Sequence, residues 1–310
     1  MDTYVVQKKI VTIHSEDRDV TKWVSPAQFE IDLPVDFKNV VSMRLEEIDL
    51  PLPLYVFSSD DQNVKLTVVI ASVVYQVQIK EGNYSEVEIA RELTGKLNDV
   101  TSTAFEVVYD VVARKLIFTN AVPFELYFNK AESYANCGQP YYENYSKWGL
   151  GSYLGFDKKI YSSQLSDVLL YAQNKTILGT YVVAAPHILD VKGDGNVYLE
   201  LATYNNIDEL MPYTERSTDL YYGKHGGKHN SSFAKIPMIQ RSNTFDFLTN
   251  IFFSEPPIER VQKLRFKLRY HDGRQVHFHG LNYNFSIEIT TLRNEPSKKQ
   301  HINKNNYVLS

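Results

Sequence analysis

From Lys263 to Tyr270 the chain alternates without a break. Leu264, Phe266, Leu268 and Tyr270 are apolar or aromatic, while Lys263, Arg265, Lys267 and Arg269 are cationic. A period of two belongs to a β-strand, whose successive side chains leave opposite faces. A strand with one apolar and one charged face belongs in an antiparallel sheet that covers a core on one side only. The residues that follow, "HDGRQVHFHG", carry three of the eight histidines and a turn signal, Asp272-Gly273.

Parity selects the turn. A two-residue Asp272-Gly273 loop would set Leu268 opposite His277 and mix core with solvent. A three-residue loop, His271-Asp272-Gly273 with Gly273 left-handed, sets Leu268 opposite Val276 and Phe266 opposite Phe278. Lys267 would then oppose His277, and Arg265 would oppose His279. Cations beside imidazoles disfavour both a divalent ion and the imidazolium, so the segment is expected to be a hairpin with a basic outer face rather than a metal or acid/base site.

Strand signals recur along the chain: "YVVQKKIVTI" (4–13), "FEIDL" (29–33), "VVSMRLEEIDL" (40–50), "DVLLYA" (167–172), "TYVVAA" (180–185), "NVYLELATY" (196–204), "FAKIPMI" (233–239) and "NIFFSE" (250–255). Each is short, rich in β-branched or aromatic residues and bounded by turn formers. The "LPLPLY" stretch (50–55) is an edge or crossover, because its prolines remove ladder donors. Residues 205–232 form the longest irregular segment, of a length that points to function or mobility.

A different texture runs from 64 to 160. "VKLTVVIASVVYQVQI" reads as two strands about a short turn. In "GNYSEVEIARELTGKLN", Ser85 and Glu88 form a capping box, Tyr84 and Ile89 are placed as a hydrophobic staple, and Ile89, Leu93 and Leu97 form a stripe, which predicts a helix over 86–97. Strands at 105–110, 115–120 and 124–128 follow, and "WGLGSYLGF" (148–156) predicts a short helix ended by Gly155. The expected organisation is a discontinuous β-sandwich (1–63 and 161–295), an inserted α/β unit (64–160) and a C-terminal tail (296–310).

Composition narrows the function. With 22 Tyr and 16 Phe against 2 Trp the chain is aromatic-rich, and its net charge of −4 disfavours a dedicated duplex-DNA binder. The single Cys137 offers neither an intramolecular disulfide nor a cysteine zinc site. The start has no apolar leader core, and about 18 consecutive apolar residues occur nowhere, so neither a signal peptide nor a membrane span is expected.

Other clusters have plainer readings. In "HSEDRD" (14–19) adjacent acids point in alternate directions around Arg18, which predicts a turn held by a local ion pair. His225 and His229 flank Gly-Gly, so their spacing fixes no geometry, and "DVKGDGN" (190–196) lacks the alternating ligands of a calcium loop. No phosphate loop, nucleophile elbow, zinc-protease or dinucleotide motif occurs. No catalytic, cofactor or metal residue is therefore assigned, and an enzyme is not expected.

Three segments together carry a family resemblance: the N-terminal strand into "HSEDRD", "FEIDLP" and "VVSMRLEEIDLPLPLY"; then "GNYSEVEIARELTGKLN" with "FEVVYD" and "WGLGSYLGF"; then "LRFKLRYHDGRQVHFHGLNYNFSIEI". This series resembles minor capsid proteins of nucleocytoplasmic large DNA viruses, such as the large icosahedral viruses of algae, over most of the chain. The resemblance implies a mainly β fold, an antiparallel β-sandwich of jelly-roll type with a small α/β insertion. It also implies a structural virion protein made in the host cytoplasm, a cement component linking major-capsid capsomers and neighbouring minor capsid proteins and able to contact the inner viral membrane.

Specific nucleic acid and small-molecule substrates are not expected as partners. Alternatives are a vertex or surface module that binds glycans or a receptor and, with less support, a carbohydrate-active enzyme with paired carboxylates. The expected contacts are the face Lys263, Arg265, Lys267 and Arg269, the loop 205–232, and the tail with Lys298 and Lys299.

Overall fold

The computed structural model describes residues 4–51, 54–129, 149–170, 175–210, 229–238, 251–271 and 273–294. The chain is mainly β, and its strand pairs are antiparallel. Two compact units divide it. One holds the described residues of 4–51, 196–210, 229–238 and 251–294, and the other those of 54–195.

The first unit is built on a six-stranded sheet. Its strands are β1 (Tyr4–His14), β2 (Gln28–Asp49), β11 (Asn196–Leu201), β14 (Ala234–Pro237), β15 (Ile251–Arg269) and β16 (Asn284–Asn294), in the order β1-β16-β2-β15-β11-β14. The last strand enters between the first two, a crossed connectivity of the jelly-roll-like kind. One sheet face buries Phe29, Leu264, Phe266, Leu268, Phe285, Ile287 and Ile289. Phe266 meets Phe29 and Phe285 with centroids 5.5 and 4.8 Å apart.

β2 and β15 are longer than their sequences predict. The separate strands expected at 29–33 and 40–50 are one strand of 22 residues, and those at 250–255 and 263–270 are one of 19. Both strands carry prolines, which read as breaks in sequence. In the structure each proline occupies a register shift of the β2–β15 ladder, Pro34 near the shift at Val261/Lys263 and Pro256-Pro257 in the shift at Phe253/Ile258. A bulge leaves a residue without a ladder partner, so a missing N–H costs nothing there.

The hairpin expected after β15 forms only at its turn. Tyr270 N donates to Arg274 O at 2.8 Å, Val276 N donates to Leu268 O at 3.2 Å, and Gly273 is left-handed at φ +91°, so the Tyr270–Arg274 closure expected of the turn and the Leu268–Val276 pairing are present. Beyond a single bridge, Arg269 to Gln275, the chain leaves the sheet. The expected pairing of Lys267 with His277 and Arg265 with His279 is therefore replaced, because β15 is a central strand whose neighbours are β2 and β11. The long irregular segment is also shorter than expected: β12 (Ile207–Leu210) pairs with β13 (His229–Ser232), and residues 211–228 between them lie outside the described residues.

The second unit is a sandwich of two four-stranded sheets with a helix. β3 (Lys65–Ile70), β4 (Val73–Gln78), β7 (Glu125–Tyr127) and β8 (Ile160–Ser162) form the order β4-β3-β7-β8. β5 (Phe105–Asp110), β6 (Lys115–Asn120), β9 (Gln164–Leu170) and β10 (Lys175–Ala184) form β5-β6-β10-β9. One core joins them: Leu66 and Val68 from the first sheet, Leu116, Phe118 and Val183 from the second, and Ile89, Leu93 and Leu97 from α1 (Glu86–Val100).

Both halves of the Ser85–Glu88 capping box are made: Ser85 Oγ accepts from Glu88 N at 3.3 Å, and Ser85 N donates to Glu88 Oε2 at 2.8 Å. The helix runs three residues past the predicted end. α2 (Gly149–Tyr153) is followed by left-handed Gly155, as the sequence predicts. The sequence placed strands after residue 160 in the first unit, but β10 and β9 extend the β5-β6 sheet of the insertion and lie in the second unit.

Candidate interaction face

The face of the six-stranded sheet opposite its aromatic core carries the residues singled out in sequence. Their register explains their fate. In the ladder Lys263 stands beside Asp32 and Arg265 beside Glu30 of β2, while Lys267 stands beside Glu200 and Arg269 beside Tyr198 of β11. Each of these four cations thus meets a carboxylate or an aromatic ring across the strand, the pairings that stabilise a sheet.

Lys263, 61% exposed, has its ammonium 3.0 Å from Asp32, and that hydrogen bond raises the lysine above its ordinary pKa. Lys267 lies 3.8 Å from Glu200. The basic row is therefore a mixed-charge lattice.

Arg269 departs from the expected exposed row. Its side chain is 1% exposed. It donates to Glu200 through Nε, to Glu209 through Nη2 at 2.8 Å and to Tyr270 O through Nη1 at 3.1 Å, and its guanidinium lies 5.1 Å from the Tyr198 ring centroid. Glu209, on β12, also meets His271 Nδ1 at 3.0 Å. The β12–β13 pair covers this end of β15, so alternation still points Arg269 away from the apolar core but not into solvent. A charge that deep persists only when paired and fully bonded. Arg269 is a buried structural ion, not a contact residue.

Sequence reasoning missed Trp23. The Arg265 guanidinium lies 5.0 Å from the Trp23 ring centroid and the Lys22 ammonium 5.3 Å from it. The loop carrying Trp23 is built by Arg18, which donates to the carbonyls of Ser15 at 2.6 Å, Trp23 at 3.0 Å and Val24 at 3.2 Å, and to Asn282 Oδ1 at 2.8 Å. The turn in "HSEDRD" is thus held by Arg18 on backbone carbonyls rather than by the expected local ion pair. Arginine has five donors in a rigid fork, and a loop offers more carbonyls than carboxylates. Asp19 fixes the next turn, accepting from Thr21 N and Oγ1 at 3.0 and 2.6 Å, and those bonds hold its carboxyl below the usual range. Arginine and tryptophan are the residues most enriched at the energetic centres of interfaces, which was the available signal.

Beside Arg265 a small groove of about 210 Å³ is lined by Gln28, Glu200, Asn205 and Lys267. Lys298, Lys299, Cys137 and His225 lie outside the described residues. Among the described residues no group of three His, Cys, Asp or Glu side chains is placed to hold a metal ion, and no helix is long and apolar enough to cross a membrane.

The chain is thus an antiparallel β protein whose candidate site is an open sheet face. No protein-family description matches the sequence, and no curated protein does. Among solved structures, the crystal structure of selenomethionine-labelled mavirus penton protein aligns over 93% of this chain and 99% of that one, at TM-score 0.43 and 9% identity. A chain from the cryo-electron-microscopy structure of the Sputnik virophage aligns over 94% of this chain and 98% of that one, at TM-score 0.33 and 11% identity.

Proposed function

We propose that this chain is a structural virion protein, a minor capsid component that cements major-capsid capsomers to one another and to neighbouring minor capsid proteins, in reach of the inner viral membrane. The sequence resemblance over most of the chain supports the virion setting. The observation that carries the binding mode is the Trp23–Arg265 pair. An aromatic ring and a guanidinium stacked on a rigid sheet, among part-exposed charges of both signs, make the rigid anchor and polar rim of a protein interface.

Lys263, Arg265 and Lys267 belong to that rim, where they contribute register and specificity more than affinity. The test is particle assembly with Trp23→Ala and Arg265→Ala. Both lie on the outer face, so folding is preserved while incorporation into virions falls; undiminished incorporation of the double variant removes this face from the mechanism.

A second reading, a surface glycan- or receptor-binding module, is favoured by one groove. In the sandwich unit about 520 Å³ opens over β4-β3-β7-β8, lined by Val74, Glu125, Tyr127 and Ser162. The Glu125 carboxylate accepts from Tyr127 Oη and Ser162 Oγ, both at 2.9 Å. A carboxylate beside a phenol ring suits a polyhydroxylated ligand. Binding of the isolated protein to a glycan array, lost in Glu125→Gln, would favour this reading over cement.

A further inference from the structure

The six-stranded sheet splits at one end. The ladder between β2 and β16 stops at Val40 and Thr291, next to left-handed Asn39 at φ +53°, while the β1–β16 ladder continues to Tyr4 and Asn294 and the β2–β15 ladder continues through Phe37 and Lys38. Two ribbons therefore diverge from a common root. Residues 35–39 of β2 and 291–293 of β16 face the gap with no strand between them among the described residues.

The gap has a volume of about 630 Å³. Val35, Phe37 and Leu292 line it with apolar surface, interleaved with the cations Lys9, Lys38 and Arg293. The Lys9 ammonium lies 5.7 Å from the Phe37 ring centroid. The one acid in the lining, Asp36, is already engaged by Gln262 at 2.9 Å and by Arg260, bonds that hold its carboxyl below the usual range. Among the described residues none of Lys9, Lys38 and Arg293 makes a close ion pair; the Lys38 charge acts on Asp36 only as a smaller cause of its lowered pKa.

We propose that this cleft receives an extended, acidic peptide segment of a neighbouring chain, which adds a strand between the diverging ribbons. This rests on the reading of the chain as an assembly protein and names the chemistry of one partner. Two open strand edges offer main-chain hydrogen bonds in the manner of strand addition, the apolar side chains in the lining accept apolar side chains of the peptide, and the interleaved cations select carboxylates. The chain's own C-terminal segment is the wrong occupant. "EPSKKQHINKNNYVLS" carries Lys298, Lys299 and Lys304 against Glu295 alone, so a second copy's tail would bring like charge to a cationic cleft.

The test uses the full chain and fluorescence anisotropy with labelled twelve-residue peptides of alternating Glu and Val/Thr, the same peptide with Lys for Glu, and the acidic peptide with proline at alternate positions. The acidic peptide binds, and the lysine and proline peptides do not, because one lacks the charge and the other the ladder donors. Charge reversal at Lys9, Lys38 and Arg293 together weakens binding about tenfold or more, as expected for three exposed ion pairs, with an unchanged circular dichroism spectrum. Should the triple variant misfold, Lys38→Glu alone, on an exposed side chain, must still weaken binding measurably.

Equal binding of the acidic and lysine peptides, no binding of the acidic one, or tighter binding of a single-stranded oligonucleotide that the same reversal abolishes each overturns the proposal. Peptide failure with the protein still found among shell neighbours in particles leaves the virion reading standing. Peptide binding by a protein absent from particles overturns the virion reading alone.

Discussion

Replacing Arg269 by methionine removes a guanidinium while keeping much of its volume. The structure sets the cost. Arg269 is 1% exposed and Glu209 7% exposed in their side chains, and they meet at 2.8 Å. Without the guanidinium, Glu209 keeps its contact with His271 Nδ1 at 3.0 Å, and Glu200 keeps Lys267 at 3.8 Å. Stranding a buried charge of this kind costs about 3–5 kcal/mol, a large share of the roughly 5–15 kcal/mol that holds a typical domain folded.

Lys267→Met, one ladder step away but 36% exposed, should cost at most about 1 kcal/mol. Urea unfolding followed by circular dichroism measures both. The double variant Arg269→Met/Glu209→Gln removes both ends of the pair and should cost less than the sum of the single variants by about 2 kcal/mol or more. If Arg269→Met and Lys267→Met cost the same, or the double variant is additive, the buried-ion reasoning is wrong.

Three further outcomes follow from local geometry. Ser85→Ala deletes the capping box and should cost about 1 kcal/mol, read from urea midpoints, whereas Ser85→Asp should retain most of it. Gly155→Ala should cost about 2 kcal/mol or more, because Gly155 sits at φ +85° and an added Cβ would strike the His187 carbonyl; thermal midpoints test this. Burial, with the Glu92 charge as a smaller cause, pushes the Tyr84 phenol up to about 12. For a group with a raised folded-state pKa the stabilisation is complete below the unfolded value of roughly 10 and is lost as pH rises toward 12. The thermal midpoint should therefore fall across that window, and Tyr84→Phe should flatten the fall.

How much of this was legible depended on whether a signal was local. The capping box, the Tyr270–Arg274 closure of the turn with its left-handed Gly273 and the helix end at Gly155 are set by residues within a few positions of each other, and all appear as the sequence predicts. The two longest strands were hidden by Pro34 and Pro256-Pro257, whose tolerance depends on register shifts against a distant strand. The basic row was read correctly in its alternation and wrongly in its setting. Nothing near Arg269 in sequence announces that Glu200 and Glu209 will lie over it, because β11 and β12 reach it only through sheet order. Trp23 stood in the sequence without a pattern, and only the Arg18 clamp and the Arg265 ladder position bring it to the surface face.

Cross-linking mass spectrometry on purified virions reads directly which proteins lie against this sheet face. Dense cross-links are expected from Lys22, Lys263 and Lys267 to the major capsid protein and its neighbouring shell proteins. Absence of the chain from virions, or its presence without shell neighbours at those lysines, would contradict the cement role.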